Sequence, residues 1–148
     1  MPTERFRDEV LLVARILLAL LFVIFGWMKL SDYSGTVGYM TQSGAPAPPA
    51  AAVVAIVVEF GVAIAIMLGA WTRPFAIVLV IYTFATALIG HHYWTMSGGD
   101  RFANMINFYK NVSIMGGFLL LFVTGPGRYS VDARLGLPRT SPDRAQSL

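Results

Sequence analysis

Cysteine is missing from all 148 residues, which excludes disulfides, thiolate haem ligands, iron–sulfur clusters and any thiol relay carried by the chain itself. Electron transfer here would need a borrowed cofactor. Charge is scarce too: Asp, Glu, Lys and Arg make up 13% of the chain against 56% hydrophobic residues, where a soluble domain carries roughly 25% charged. So little polar surface cannot cover a water-soluble globule of this size, and the chain reads as one integral domain in a lipid bilayer. The net charge of +3 and a pI near 9.5 do not indicate nucleic acid, because the arginines sit at the ends of apolar runs and in the tail rather than in one aromatic-flanked basic stripe.

Four apolar runs, about 10–30, 50–70, 74–92 and 104–124, approach the roughly 20 residues that cross a hydrocarbon core. They predict an all-α membrane protein, a bundle of four transmembrane helices spanning residues 1–135, followed by a flexible tail over 136–148 with nothing to bury. The first run follows Arg5 and Arg7 as a secretory signal would, yet it is too long, contains Arg15 and lacks a small-residue cleavage site, so it is retained as a span. Prolines mark the next two helix starts, Pro46, Pro48 and Pro49 before the second and Pro74 in the first turn of the third. The connection from Trp71 to Arg73 is short enough to force an antiparallel hairpin. Gly125, Pro126 and Gly127 stop the fourth helix.

Arg5, Arg7, Arg73, Arg128, Arg134, Arg139 and Arg144 fall on one side of these spans and only Arg101 on the other, with Lys29 at a helix mouth. Positive charge marks the cytoplasmic side, so both termini are predicted to be cytoplasmic. Trp71 then lies at the inner interface and Trp27 and Trp94 at the outer one, as an aromatic belt requires. Of the two outer connections, Ser31 to Gly44 has the pattern of one or two turns of interfacial helix, and Tyr93 to Ala103 reads as a loop.

Ionisable residues inside the runs are the strongest pointers to function, because even the low insertion-based estimates put a mid-bilayer charge at roughly 2.5 to 3.5 kcal/mol. Counting about 1.5 Å per residue from the inner boundary places Arg15 about 8 Å deep, Glu59 about 16, Lys110 about 21, His91 about 27 and Lys29 about 28 Å. A polar site opening toward the outer face serves most of them. On this count Lys110 and Arg15 are the two candidate partners of Glu59, and sequence does not decide between them. The plain structural alternatives are an ion pair that only registers the bundle and, for Lys29, a lysine that snorkels to the headgroups.

His91 and His92 are consecutive, so they point about 100° apart on a helix and have no partner at metal-ligand spacing; no metal site is predicted. An imidazole at the mouth of a polar cavity suits proton exchange. Asn107, Lys110 and Asn111 share one face of the fourth helix at i, i+3 and i+4. With Phe60, Tyr82, Phe84, Phe108 and Tyr109 that stripe has the makings of a pocket for a flat, partly polar ligand such as a quinone head, although aromatics in spans more often serve packing and lipid contact. Gly61, Gly69, Gly116 and Gly117 allow close helix approach.

An ordered set of segments resembles the DoxX family of bacterial membrane proteins: Phe25-Gly26-Trp27-Met28-Lys29-Leu30, Gly44-Ala45-Pro46, Glu59-Phe60-Gly61, Gly69-Ala70-Trp71-Thr72-Arg73-Pro74, His92, Phe108-Tyr109-Lys110-Asn111 and Gly125 to Asp132. The resemblance runs from about Leu12 to Leu135 and implies a multi-pass four-helix bundle in the bacterial plasma (inner) membrane. Relatives are described as membrane subunits of thiosulfate oxidation by quinone, and others as anchors for soluble redox proteins; the family's polar positions fall on Arg15, Lys29, Glu59, His92 and Lys110. The reading that follows is a redox-associated protein, in effect a subunit of a quinone-linked oxidoreductase. Its quinone or similar lipid-soluble ligand meets Glu59, Lys110 and His92 as the reacting groups, with Arg15, Lys29, Asn107 and Asn111 as ligand-binding residues. Two alternatives stay open: a non-catalytic scaffold whose basic tail docks a soluble redox partner, and a small proton-coupled transporter, which four helices would support only as a homo-oligomer.

Overall fold

The computed structural model describes residues 2–136. Six helices follow one another: α1 (Pro2–Ser31), α2 (Tyr33–Gln42), α3 (Pro48–Leu68), α4 (Thr72–Gly90), α5 (Gly98–Thr124) and the single turn α6 (Val131–Arg134), with a 3₁₀ turn at Tyr93–Thr95. Four of them, α1, α3, α4 and α5, are long and apolar enough to cross a membrane, as the runs predict. Arg128 N donates to Asp8 Oδ1 (3.0 Å), so the start of α1 and the segment after α5 come together at one end of the bundle, called here the terminal end. The tail expected over 136–148 lies, beyond Gly136, outside the described residues.

Each span turns one stripe inward. On α1 it is Arg15, Ala19, Phe22 and Gly26, on α4 Thr72, Ala76, Leu79, Thr83 and Ala87, all buried at the three- and four-residue steps of a helix face. Ala19, Ala63 and Ala76 are wholly buried, and such small side chains let the spans approach where lipid gives no hydrophobic drive for association. The core is closed by Phe22, Ile66, Leu79, Phe118 and Leu121. Phe22 and Phe118 meet edge-on at 5.5 Å.

Two connections differ from expectation. The segment read as one or two interfacial turns is a ten-residue helix, α2, capped by the Asp32 carboxylate on Gly35 N. The stretch read as a loop from Tyr93 to Ala103 is loop only to Ser97. Two glycines hide the start of α5, but Asp100 in its first turn favours the positive helix end.

Candidate functional site

The hairpin predicted across Trp71 fixes the depth of the site. Gly69, at φ +70°, ends α3, and Trp71 itself takes φ +49° before α4 begins. That strained turn is held from below by Asp132 of α6, whose carboxylate oxygens accept from Trp71 N (2.7 Å) and Thr72 N (2.9 Å). An acid there also complements the positive end of α4. With the turn fixed, Glu59 on α3 and Tyr82 on α4 stand level inside the bundle.

Glu59 is buried, 8% exposed, and both carboxylate oxygens are engaged. Tyr82 donates its hydroxyl to Oε1 at 2.6 Å, and Lys29 Nζ lies 2.6 Å from Oε2. The lysine stem crosses from α1 and its ammonium also lies over the Phe25 ring, 5.6 Å from the centroid. Glu59 sits within Val57–Val62, a π-helical turn in the middle of α3. Such wide turns occur as single units inside α-helices, frequently at functional sites. Gly26 of α1 packs on that turn so closely that a Cβ would come within 2.5 Å of Phe60 N and 2.7 Å of the Glu59 carbonyl carbon.

Neither sequence-level candidate partner holds Glu59; Lys29 does. The depth count placed the inner boundary of α1 at Val10, whereas Arg15 already lies at the terminal rim, an offset of about 8 Å. Moving the boundary to Arg15 brings Gly26 level with Glu59 and puts Lys29 within reach. Arg15 faces away from the acid. The residue is 2% exposed, and its guanidinium donates to three carbonyls, Met67 (3.1 Å), Pro126 (2.6 Å) and Tyr129 (2.7 Å), tying α1 and α3 to the segment that follows α5. Carbonyls at helix ends are the natural seat for a cation.

On α5, Asn107 and Asn111 are half-buried and Lys110 is exposed, and none of the three has a hydrogen bond or ion pair among the described residues. His91 Nδ1 pairs with Asn104 Oδ1 (2.9 Å), linking α4 to α5, and His92 Nδ1 lies 2.9 Å from the Ile89 carbonyl at the end of α4. No hydrogen bond joins His92 to Glu59 among the described residues. Phe108 and Tyr109 pack with Tyr93 and Trp94 at the far end, and Phe60 stacks on Trp27 (5.7 Å), so these rings do not converge on Glu59. The described residues include no cluster of three or more acids and histidines able to hold a metal. Tyr82, which the sequence presents only as one aromatic among several, is the partner that sequence reading missed; its equal distance from the turn was the available signal.

The DoxX family model matches residues 10–92, which takes in Arg15, Lys29, Glu59, Tyr82 and His92 and ends before α5. The chain is 54% identical over 128 residues to the inner membrane protein YphA of Escherichia coli, covering 86% of this chain and 91% of that one. It is 41% identical over 132 residues to the inner membrane protein YqjF of the same organism, covering 89% and 96%. No solved structure matches.

Proposed function

The chain belongs to the DoxX family, and from that membership together with the Glu59 geometry we propose that it binds a lipid-soluble ligand of the quinone class as the membrane subunit of a redox system. It is an integral inner-membrane protein with four spans. The observation that carries the proposal is an acid kept inside the bundle with a phenol on one oxygen and an ammonium on the other, on a π-helical turn. Bare structural pairing needs neither the phenol nor the irregular turn.

A quinone head fits the donors present: it offers two acceptor oxygens on a flat ring, and Asn107, Lys110 and Asn111 supply donors that no described residue uses. When bound, such a ring supplies two-electron, two-proton chemistry. Lys110 and the two asparagines would hold its oxygens, while Tyr82 and Glu59 form a hydrogen-bonded pair able to pass a proton. His92, half-buried at the far end of α4, is the proposed link to water. Electrons would come from a soluble partner, since the chain has no thiol or metal cluster motif of its own. A pure docking scaffold would leave the Glu59 group without a task.

The test is the quinone content of the protein extracted with its surrounding lipid in polymer discs. Quinone near one per chain, falling to the level of bulk lipid in Lys110→Ala and Asn111→Ala proteins that keep their helical circular dichroism, supports the proposal. Quinone no higher than in bulk lipid for the wild-type protein overturns it.

A further inference from the structure

Helices α1 and α5 meet near the terminal end, where Gly117 faces Leu18 and Phe118 faces Phe22. A Cβ on Gly117 would lie 3.0 Å from Leu18 Cδ1, so the contact is close. About seven residues, two turns, bring a helix back to nearly the same face. Two turns toward the far end, the α1 stripe continues as Phe25 and Lys29, and the α5 stripe as Lys110 and Asn111, with Asn107 one turn beyond. On that register the two stripes continue the α1–α5 seam into its far half. Both stripes carry exposed side chains there, Phe25 at 47% and Lys110.

Charge in the crevice does not balance. Lys29 and Lys110 bring two cations and Glu59 one anion, and Glu59 is already spent, one oxygen on Lys29 and the other on Tyr82. Lys110 is left without a hydrogen bond or ion pair among the described residues, between two asparagines in the same condition. It sits six residues inside the fourth apolar run, about 9 Å from the outer boundary near Asn104. An ammonium at that depth on a lipid-facing surface is unfavourable unless an anion meets it.

We infer that the far half of the α1–α5 crevice is a binding site for an amphiphile with a single anionic head, the head held by Lys110 with the Asn107 and Asn111 amides and the tail lying along Phe25. The inference rests on the reading of this region as a ligand site and gives it an anionic occupant that would take the same three donors in place of the neutral quinone head. A fatty-acid carboxylate and the phosphate of an anionic phospholipid share the required chemistry. Glu59 does not compete for Lys110, because its pair with Lys29 is closed. The site also explains why three polar side chains share one face of a span that otherwise meets lipid.

Binding of palmitate and of methyl palmitate to the purified full chain, by native mass spectrometry, reads the charge directly. Palmitate is expected to bind about tenfold more tightly than its methyl ester. Lys110→Gln should abolish that preference and Lys110→Arg should keep it, with unfolding temperatures unchanged because Lys110 has no partner within the described chain. In lipid discs, retention of phosphatidylglycerol over phosphatidylcholine that disappears in Lys110→Gln identifies a phospholipid as the occupant, and a preference seen only with palmitate identifies a free acid. Equal binding of charged and uncharged probes, or a preference that survives Lys110→Gln, means a solvated lysine only and overturns the inference. A wild-type protein that carries quinone yet ignores head charge removes this inference alone; one that selects anions at Lys110 yet carries no quinone removes the quinone proposal alone.

Discussion

Glu59 stands eleven residues before Ala70 and Tyr82 eleven after Trp71, and across that turn the tyrosine hydroxyl donates to the carboxylate at 2.6 Å. The bond joins α3 to α4 inside the bundle. Tyr82→Phe removes the donor and keeps the ring. Hydrogen bonds inside membranes average about 0.6 kcal/mol, but one to a charged acceptor is worth more, so a loss of about 1 to 2 kcal/mol is expected. Unfolding of the detergent-solubilised protein measures it, and a change below a few tenths would show that Glu59 does not depend on Tyr82.

Lys29 carries the larger share. Lys29→Met leaves a buried carboxylate without its counter-ion, which destabilises by about 3 to 5 kcal/mol, whereas replacing both partners in Lys29→Met/Glu59→Leu should come close to neutral. The double-mutant cycle separates this from simple loss of packing. If the double variant is as unstable as the single one, the two side chains are not acting on each other.

The spans, the hairpin and the place of Glu59 inside a span were legible because they follow from run length, proline placement and a charge out of context. The Glu59–Tyr82 pair was missed, although the equal spacing of the two residues from the turn at Trp71 carried it. Lys29 was not legible, because a depth count needs a boundary, and the boundary of α1 is set by Arg15 reaching the carbonyls of Met67, Pro126 and Tyr129. Every residue has a carbonyl, so nothing in the sequence marks those three. The π-helical turn at Val57–Val62 was equally hidden, since no residue type specifies it. The start of α5 was concealed by Gly98 and Gly99, ordinarily breakers, at the first position where a helix tolerates them.

Gly26 is the position where the geometry leaves least room. A methyl group there would press on the Phe60 amide and the Glu59 carbonyl carbon, backbone atoms that cannot rotate away. Gly26→Ala is expected to move α1 off the π-helical turn at about 1 to 3 kcal/mol and to lengthen the Lys29–Glu59 contact. Gly61, whose Cβ would meet nothing within 4 Å, is the matched control, and Gly61→Ala should be neutral or slightly stabilising. Equal effects at both glycines would deny the close approach.

The arginine distribution predicts both termini in the cytoplasm. A green fluorescent protein fused after Leu148 should fluoresce and an alkaline phosphatase fused there should stay inactive, while fusions in the 93–97 connection should show the reverse. Active phosphatase at the C-terminus would invert the orientation and, with it, the leaflet from which the α1–α5 crevice is reached.

Arg15 makes the last connection testable at a distance. Its fork meets three carbonyls from two separate segments, a geometry that a lysine ammonium on a single flexible stem cannot reproduce. Arg15→Lys should therefore release residues 126–134 while leaving the bundle core folded, at about 2 kcal/mol. Gly69→Ala should produce the same release, because its Cβ would run into Ser130 Cβ and the Arg15 guanidinium and its φ of +70° disfavours a side chain. Release also removes Asp132 from Trp71 N and Thr72 N, so the start of α4 should loosen next, ahead of Thr83 and Ala87 in its buried middle. Hydrogen exchange resolved along the chain reads this order: faster exchange at 126–134 and 71–74 in both variants, unchanged exchange at 83–87. Unchanged protection at 126–134 in Arg15→Lys would mean that the segment is held by Asp8 and by Asp132 at the α3–α4 turn without Arg15, and that Arg15 is buried for another reason.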